Sequence, residues 1–65
     1  MKGTVAFYDF SKRYGFITGE EGGCQDYFFH QTDLTDCDFL EKGEEVFFEP
    51  LKTAKGWRAS NIRII

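Results

Sequence analysis

Two short stretches of the chain concentrate side chains that bind by stacking and by charge: KRYGFI, Lys12 to Ile17, and DYFFH, Asp26 to His30. In the first, two cations lead into Tyr14, Gly15, Phe16 and Ile17. In the second, three rings precede the lone histidine, His30. Exposed rings beside cations have a specific chemistry. A flat aromatic face stacks on any nucleobase, at roughly 1–3 kcal/mol per base, while neighbouring cations neutralise the intervening phosphates. Such a surface takes single strands, because duplex bases are already stacked and paired. His30 can stack or donate a hydrogen bond. Nothing here forms or breaks a bond: the pattern sets no Ser, Cys or paired carboxylate beside His30, and an enzyme is not expected.

The chain that must position these groups has 65 residues, one domain at most, spanning residues 1–65. A chain this short buries only about 60% of the surface its unfolded form exposes. Eight Phe, three Tyr and one Trp are more rings than so small a core holds comfortably, so some must face water. The formal net charge of −3 does not advertise a polyanion partner, although a local patch can oppose it. Cys24 and Cys37 are too few for a disulfide scaffold and lack metal-ligand spacing, so both read as free thiols of a reducing cytosol rather than as a single bridge, with no metal or cofactor expected. No apolar run approaches a membrane span, and Met1 leads directly into a strand-like pattern rather than a signal peptide. A cytoplasmic chain is expected.

Helical periodicity is nearly absent. Gly3–Phe10 reads as a first strand, YGFITGE as a second and DYFFHQT as a third, with EEGGCQ a glycine-rich hairpin loop between the last two. A polar connection, DLTDCDFLEKGE, follows, in which Thr32 and Thr35 could cap at most one helical turn. EVFFEPL reads as a fourth strand, KTAKG as a basic turn and WRASNIRII as a fifth strand. Five short antiparallel strands bury one face by curling into a small closed barrel. Alternation then sorts the side chains. If Ile17 and Phe29 point inward, Tyr14, Phe16, Phe28 and His30 point outward together, on neighbouring strands beside Lys12 and Arg13. Gly15 between two rings suits a close backbone approach or a bend of the barrel.

KRYGFI resembles the first ribonucleoprotein motif of cold-shock domains, K-G-F-G-F-I, and YFFH resembles their second, V-F-V-H. The likeness extends through the opening GTVAFY, the segment LEKGEEVFFE and the ending KGWRASNI, which is similar to the family's G-P-x-A-x-N-V. It covers essentially the whole chain. The resemblance implies an all-β, five-stranded Greek-key barrel of the oligonucleotide-binding (OB) type that binds single-stranded RNA and DNA. It gives Phe7 the place of a stacking tryptophan and Tyr8 that of the neighbouring phenylalanine. Lys12, Tyr14 and Phe16 take the first-motif contacts, and Phe28 and His30 those of the second. Phe39 matches a loop aromatic that stacks on a base. Lys55 and Arg58 match polar or cationic positions lining the groove, and Asp26 an acidic residue that accepts from base edges.

Departures from the pattern shape the expectation. Ala6 stands where many members carry Lys or Arg, and Asp9 where many carry Asn, so strand one loses phosphate attraction. Arg13 replaces the motif's first glycine and returns one cation. Gln31 replaces a frequent phenylalanine, exchanging a stacking ring for an amide, and Trp57 replaces a frequent proline, adding a ring at the groove's end. Binding weaker than that of a typical member is expected.

Other readings stand beside these. Alternation puts Phe7 on the face of Val5, so its stacking role requires a bend or an edge position. Phe39 is either a base platform or a plug holding its loop on the barrel. Trp57 either extends the groove or protects an edge. With Val46 and Phe48 in the core, Phe47 faces outward. Two functional classes follow. The first is a monomeric, ATP-independent RNA chaperone that captures unpaired segments and so opposes hairpins, with a regulatory role in translation or transcription implied by the resemblance. The alternative is a protein-interaction module docking a partner through the same rings. The cations framing the patch favour the first.

Overall fold

Strands form where β-branched and aromatic residues cluster, and the computed structural model describes residues 1–21 and 25–65. The strands are β1 (Lys2–Asp9), β2 (Tyr14–Gly19), β3 (Asp26–His30), β4 (Glu45–Thr53) and β5 (Gly56–Ile64), with a single 3-10 turn over Gln31–Asp33. Part of the expected hairpin loop, Gly22, Gly23 and Cys24, lies outside the described residues. The strands close into a barrel in the order β1-β2-β3-β5-β4. An odd number of strands cannot alternate in direction all the way round a closed ring. One seam must be parallel, and it is β3–β5, through Phe28 and Arg58. No helix among the described residues is long and apolar enough to cross a membrane.

The core is Val5, Ile17, Tyr27, Phe29, Leu40, Val46, Phe48, Ala59 and Ile62, all buried. Burying side chains of this size contributes about 1.5–3 kcal/mol each. The inward and outward sets of β2 and β3 fall as alternation predicts: Gly15, Ile17, Tyr27 and Phe29 are buried, while Tyr14, Phe28 and His30 are half-buried and Phe16 is exposed. Phe47, between buried Val46 and Phe48, is exposed.

β1 starts at Lys2, β2 ends at Gly19 and β5 spans Gly56–Ile64, each a residue away from the sequence reading, and three further ends differ for reasons the side chains show. β1 stops at Asp9 rather than Phe10, because the Asp9 carboxylate accepts the Ser11 and Lys12 N–H groups at 2.8 and 3.0 Å and turns the chain. β3 stops at His30 rather than running through Thr32. There the His30 Nδ1 accepts Thr32 N–H at 3.3 Å and the Asp33 carboxylate accepts His30 N–H at 2.9 Å, a reciprocal cap that winds Gln31–Asp33 into its turn. Thr35 caps nothing; its hydroxyl donates to the Ile62 carbonyl at 2.8 Å and docks the connection on β5. β4 continues past Pro50 to Thr53, since the Thr53 hydroxyl bonds the Gly56 carbonyl at 2.8 Å and Gly56, at φ +124°, closes a tight turn. The polar connection also carries Leu40 into the core, fully buried.

Candidate nucleic-acid interface

The outward rings of β2 and β3 meet because their strands pair in register, Tyr14 opposite His30 and Phe16 opposite Phe28. Tyr14 lies 5.7 Å from Phe28 and 6.2 Å from Phe16, and Phe16 lies 5.9 Å from Phe28, ring centre to ring centre. Phe7 joins them edge-on, 6.0 Å from Tyr14. It can do so because β1 slips register between Val5 and Phe7: Val5 pairs with Ile17 and Phe7 with Phe16, leaving Ala6 as the extra residue. That bulge is the first of the two ways, a bend or an edge position, by which Phe7 can leave the face of Val5. It keeps Val5 in the core and turns Phe7 outward, 44% exposed.

The same slip sets Tyr8 apart. Tyr8 pairs with inward-facing Gly15 and stacks on buried Phe29, centroids 5.8 Å apart and planes 9° from parallel. Phe10 meets Tyr8 edge-on at 5.0 Å, and Phe39 meets Phe10 at 5.4 Å. Tyr8 and Phe39 thus belong to a second group of rings over one end of the barrel. Phe10, the most exposed ring of the chain at 62%, was not a sequence candidate. Its signal was a large aromatic between Asp9 and Ser11, in a turn that has no core to offer it.

Lys12 and Arg13 occupy the turn between β1 and β2, both exposed. Arg13 takes φ +59°, the left-handed region, with its N–H donating to the Asp9 carbonyl at 2.7 Å. Such a conformation costs a side-chain-bearing residue about 1–2 kcal/mol. Replacing Arg13 by glycine, the residue usual in the motif it resembles, removes that cost but loosens the unfolded chain by about 0.4–1 kcal/mol. The net expectation for Arg13→Gly is a stabilisation of about 0.5–1 kcal/mol, with the melting temperature rising by roughly 3–6 °C. Thermal unfolding checks this, and a drop in melting temperature would show that the guanidinium is structurally needed.

Gln31 ties two loops together. Its N–H donates to the Arg13 carbonyl at 2.8 Å, its amide oxygen accepts Arg13 Nη1 at 3.4 Å, and its amide nitrogen donates to the Asp38 carbonyl at 3.1 Å. The His30 Nδ1 is an acceptor, so the neutral ring carries its proton on Nε2 as a donor. Asp26, at the start of β3, accepts from the Thr18 hydroxyl at 3.0 Å.

The other flank comes from the β4–β5 turn. A groove of about 460 Å³ is lined by Phe28, Thr53, Lys55, Gly56, Trp57 and Arg58. Trp57 shares a face with buried Ala59 and packs edge-on against Tyr27 at 5.9 Å, with the Lys52 ammonium 5.1 Å over its ring. It therefore shields the Tyr27 end of the core and lines the groove. Arg58 reaches the Asp33 carboxylate at 2.9 Å and lies over Phe28, its Cζ 5.8 Å from the ring centre. Cys37 is a free thiol half-buried in the connection. Burial, and then the charges of Asp36, Glu44 and Asp38, push its pKa up, which favours the thiol over the thiolate.

Rings in one contiguous outward patch, a hydrogen-bond donor on His30 and cations on two flanking turns suit an unpaired polyanion with flat bases. The family model described as the 'Cold-shock' DNA-binding domain matches residues 1–65. The chain is 41% identical to a cold shock-like protein of Aquifex aeolicus, covering 100% of this chain and 94% of that one. It is 37% identical to a cold shock-like protein of Thermotoga maritima, over 100% and 98% of the two chains. With the cold shock-like protein CspE of Escherichia coli the identity is 39%, over 95% and 91%.

Proposed function

The chain belongs to the cold-shock DNA-binding domain family, and from that premise we propose that it captures unpaired RNA and DNA segments as an ATP-independent chaperone. The observation that carries this reading is the outward ring patch of Phe7, Tyr14, Phe16 and Phe28, flanked by cationic turns. Successive bases stack on those rings, His30 donates from Nε2, and Lys12, Arg13 and Lys55 meet phosphates. Asp26 and Gln31 offer acceptors and an amide to base edges at the margin. Tyr8 supports, and Phe39 extends, the ring group at the barrel end, and Trp57 with Arg58 forms the far groove. Holding single strands open by mass action opposes hairpins and involves no catalysis. The reading takes residues 1–65 as one domain working as a cytoplasmic monomer, with an output in translation or transcription. The charge of −3 supports modest, quickly reversible binding.

Titration with oligo-pyrimidine and oligo-purine RNA and DNA, followed by Trp57 fluorescence, tests the proposal. Saturable binding at low salt is expected, with log K falling against log salt at a slope of roughly −2 to −3 for three to four phosphate contacts. A slope near zero would remove the phosphate contacts from the scheme. If no single strand binds at low salt, the proposal fails and the rings are better read as a protein-docking patch.

A further inference from the structure

Arg58 comes to the interface already committed to an anion. Its Nε and Nη2 donate to one carboxylate oxygen, Oδ2 of Asp33, at 3.2 and 2.9 Å. The same oxygen accepts the His30 N–H at 2.9 Å. Asp33 is well shielded, with 12% of its side chain exposed against 36% for Arg58. Three donors on one shielded oxygen fix the carboxylate, and the fixed carboxylate fixes the planar group that grips it. The guanidinium is thereby held over Phe28, in the wall of the groove that Trp57 also lines.

A cation held this way differs from those of Lys12, Arg13 and Lys55, for which no salt bridge is found among the described residues. Asp33 offsets its charge and occupies two of its donors. Three N–H groups and its flat face remain, and a guanidinium plane stacks on aromatic rings and bases in a way that a compact ammonium does not. We propose that Asp33 is a positioning residue that withdraws Arg58 from phosphate contact and holds it as a flat wall, continuing the Phe28 platform, on which a base of the bound single strand lies. The inference rests on the single-strand reading above and deepens it. It leaves Lys12, Arg13 and Lys55 as the phosphate contacts, so the parent's salt slope should lie near −2 at about 0.7 per contact.

Three variants, each assayed by oligonucleotide titration across a salt series and by thermal unfolding, test the assignment. Arg58→Lys keeps the charge and loses the plane; binding about three- to tenfold weaker with an unchanged slope is expected. The double variant Asp33→Asn with Arg58→Gln removes a mutually offset pair, so it too should weaken binding at constant slope. Asp33→Asn alone frees Arg58 toward phosphate and should steepen the slope by about 0.7. Arg58→Lys binding like the parent, or the double variant flattening the slope by about 0.7, would make Arg58 a phosphate contact and overturn the proposal. A slope unmoved in Asp33→Asn, with only the melting temperature lowered, would reduce Asp33 to a turn cap and also overturn it. A parent that binds no single strand at low salt fails differently, because the function proposed above then falls first.

Discussion

Phe16→Ala and Phe28→Ala should each weaken single-strand binding by between about fivefold and 150-fold, the span of roughly 1–3 kcal/mol per stacked base. Phe28 is expected at the upper end. Its ring is shared: it packs on Tyr14 and Phe16, lies beneath the Arg58 guanidinium and lines the groove. Truncating it removes a platform and two of its neighbours' supports. Phe16 is the cleaner test, since its ring is 37% exposed and points away from the core. Its loss should cost the fold no more than its edge-on contacts, about 0.5–1.5 kcal/mol each. Titration and denaturant unfolding of the same samples separate the two effects. Variants that both bind like the parent would move the binding surface elsewhere on the barrel.

Gly15→Ala, the addition of one methyl group, should be among the most damaging substitutions for folding. A methyl group built on Gly15 would sit 2.1 Å from the Phe7 carbonyl oxygen and 2.9 Å from the Phe29 ring. The first obstacle is backbone, so no side-chain rotation relieves it, and the second is a fully buried ring. Overpacking of this kind costs about 1–3 kcal/mol and sometimes more. With backbone in the way, about 3 kcal/mol or more is expected. A chain of 65 residues has roughly 3–10 kcal/mol in total at the usual 0.05–0.15 per residue. The variant should therefore be largely or partly unfolded at 37 °C, which denaturant titration or a thermal melt will show. A variant within 1 kcal/mol of the parent would mean that β1 can retreat from β2 at this point.

The glycine's role was legible in the sequence because two rings flank it on a strand that must curve. The face assignments of β2 and β3 were legible for a related reason: each keeps a strict period of two across a register that burial enforces. β1 was not fully legible. Alternation gave Phe7 the same side as Val5, and only the slip at Ala6, where the Val5 carbonyl takes the Gly43 N–H at 2.8 Å, turns Phe7 outward. A bulge is a tertiary event, fixed by what pairs on both edges, and no local pattern announces it. The place of Tyr8 on buried Phe29 follows from that slip and was hidden with it. Leu40 was missed because the scattered apolar residues of a polar connection carry no period that tells the buried one from its exposed neighbour Phe39. The partnership of Asp33 with Arg58 joins residues 25 positions apart and was invisible for the same reason.

The parallel seam between β3 and β5 has a dynamic consequence. The other seams are longer antiparallel ladders, whereas this one pairs Phe28 with Arg58 and is continued past β3 by the lone bridge of Leu34 with Ile62. Local opening takes the route that breaks the fewest ladder bonds, so amide protons along this seam should exchange sooner than those of the neighbouring strands. The groove has one wall on each side of it. A transient parting too small to unfold the barrel would therefore dismantle the groove, and a strand lying across both walls would slow exchange there by holding the parting closed.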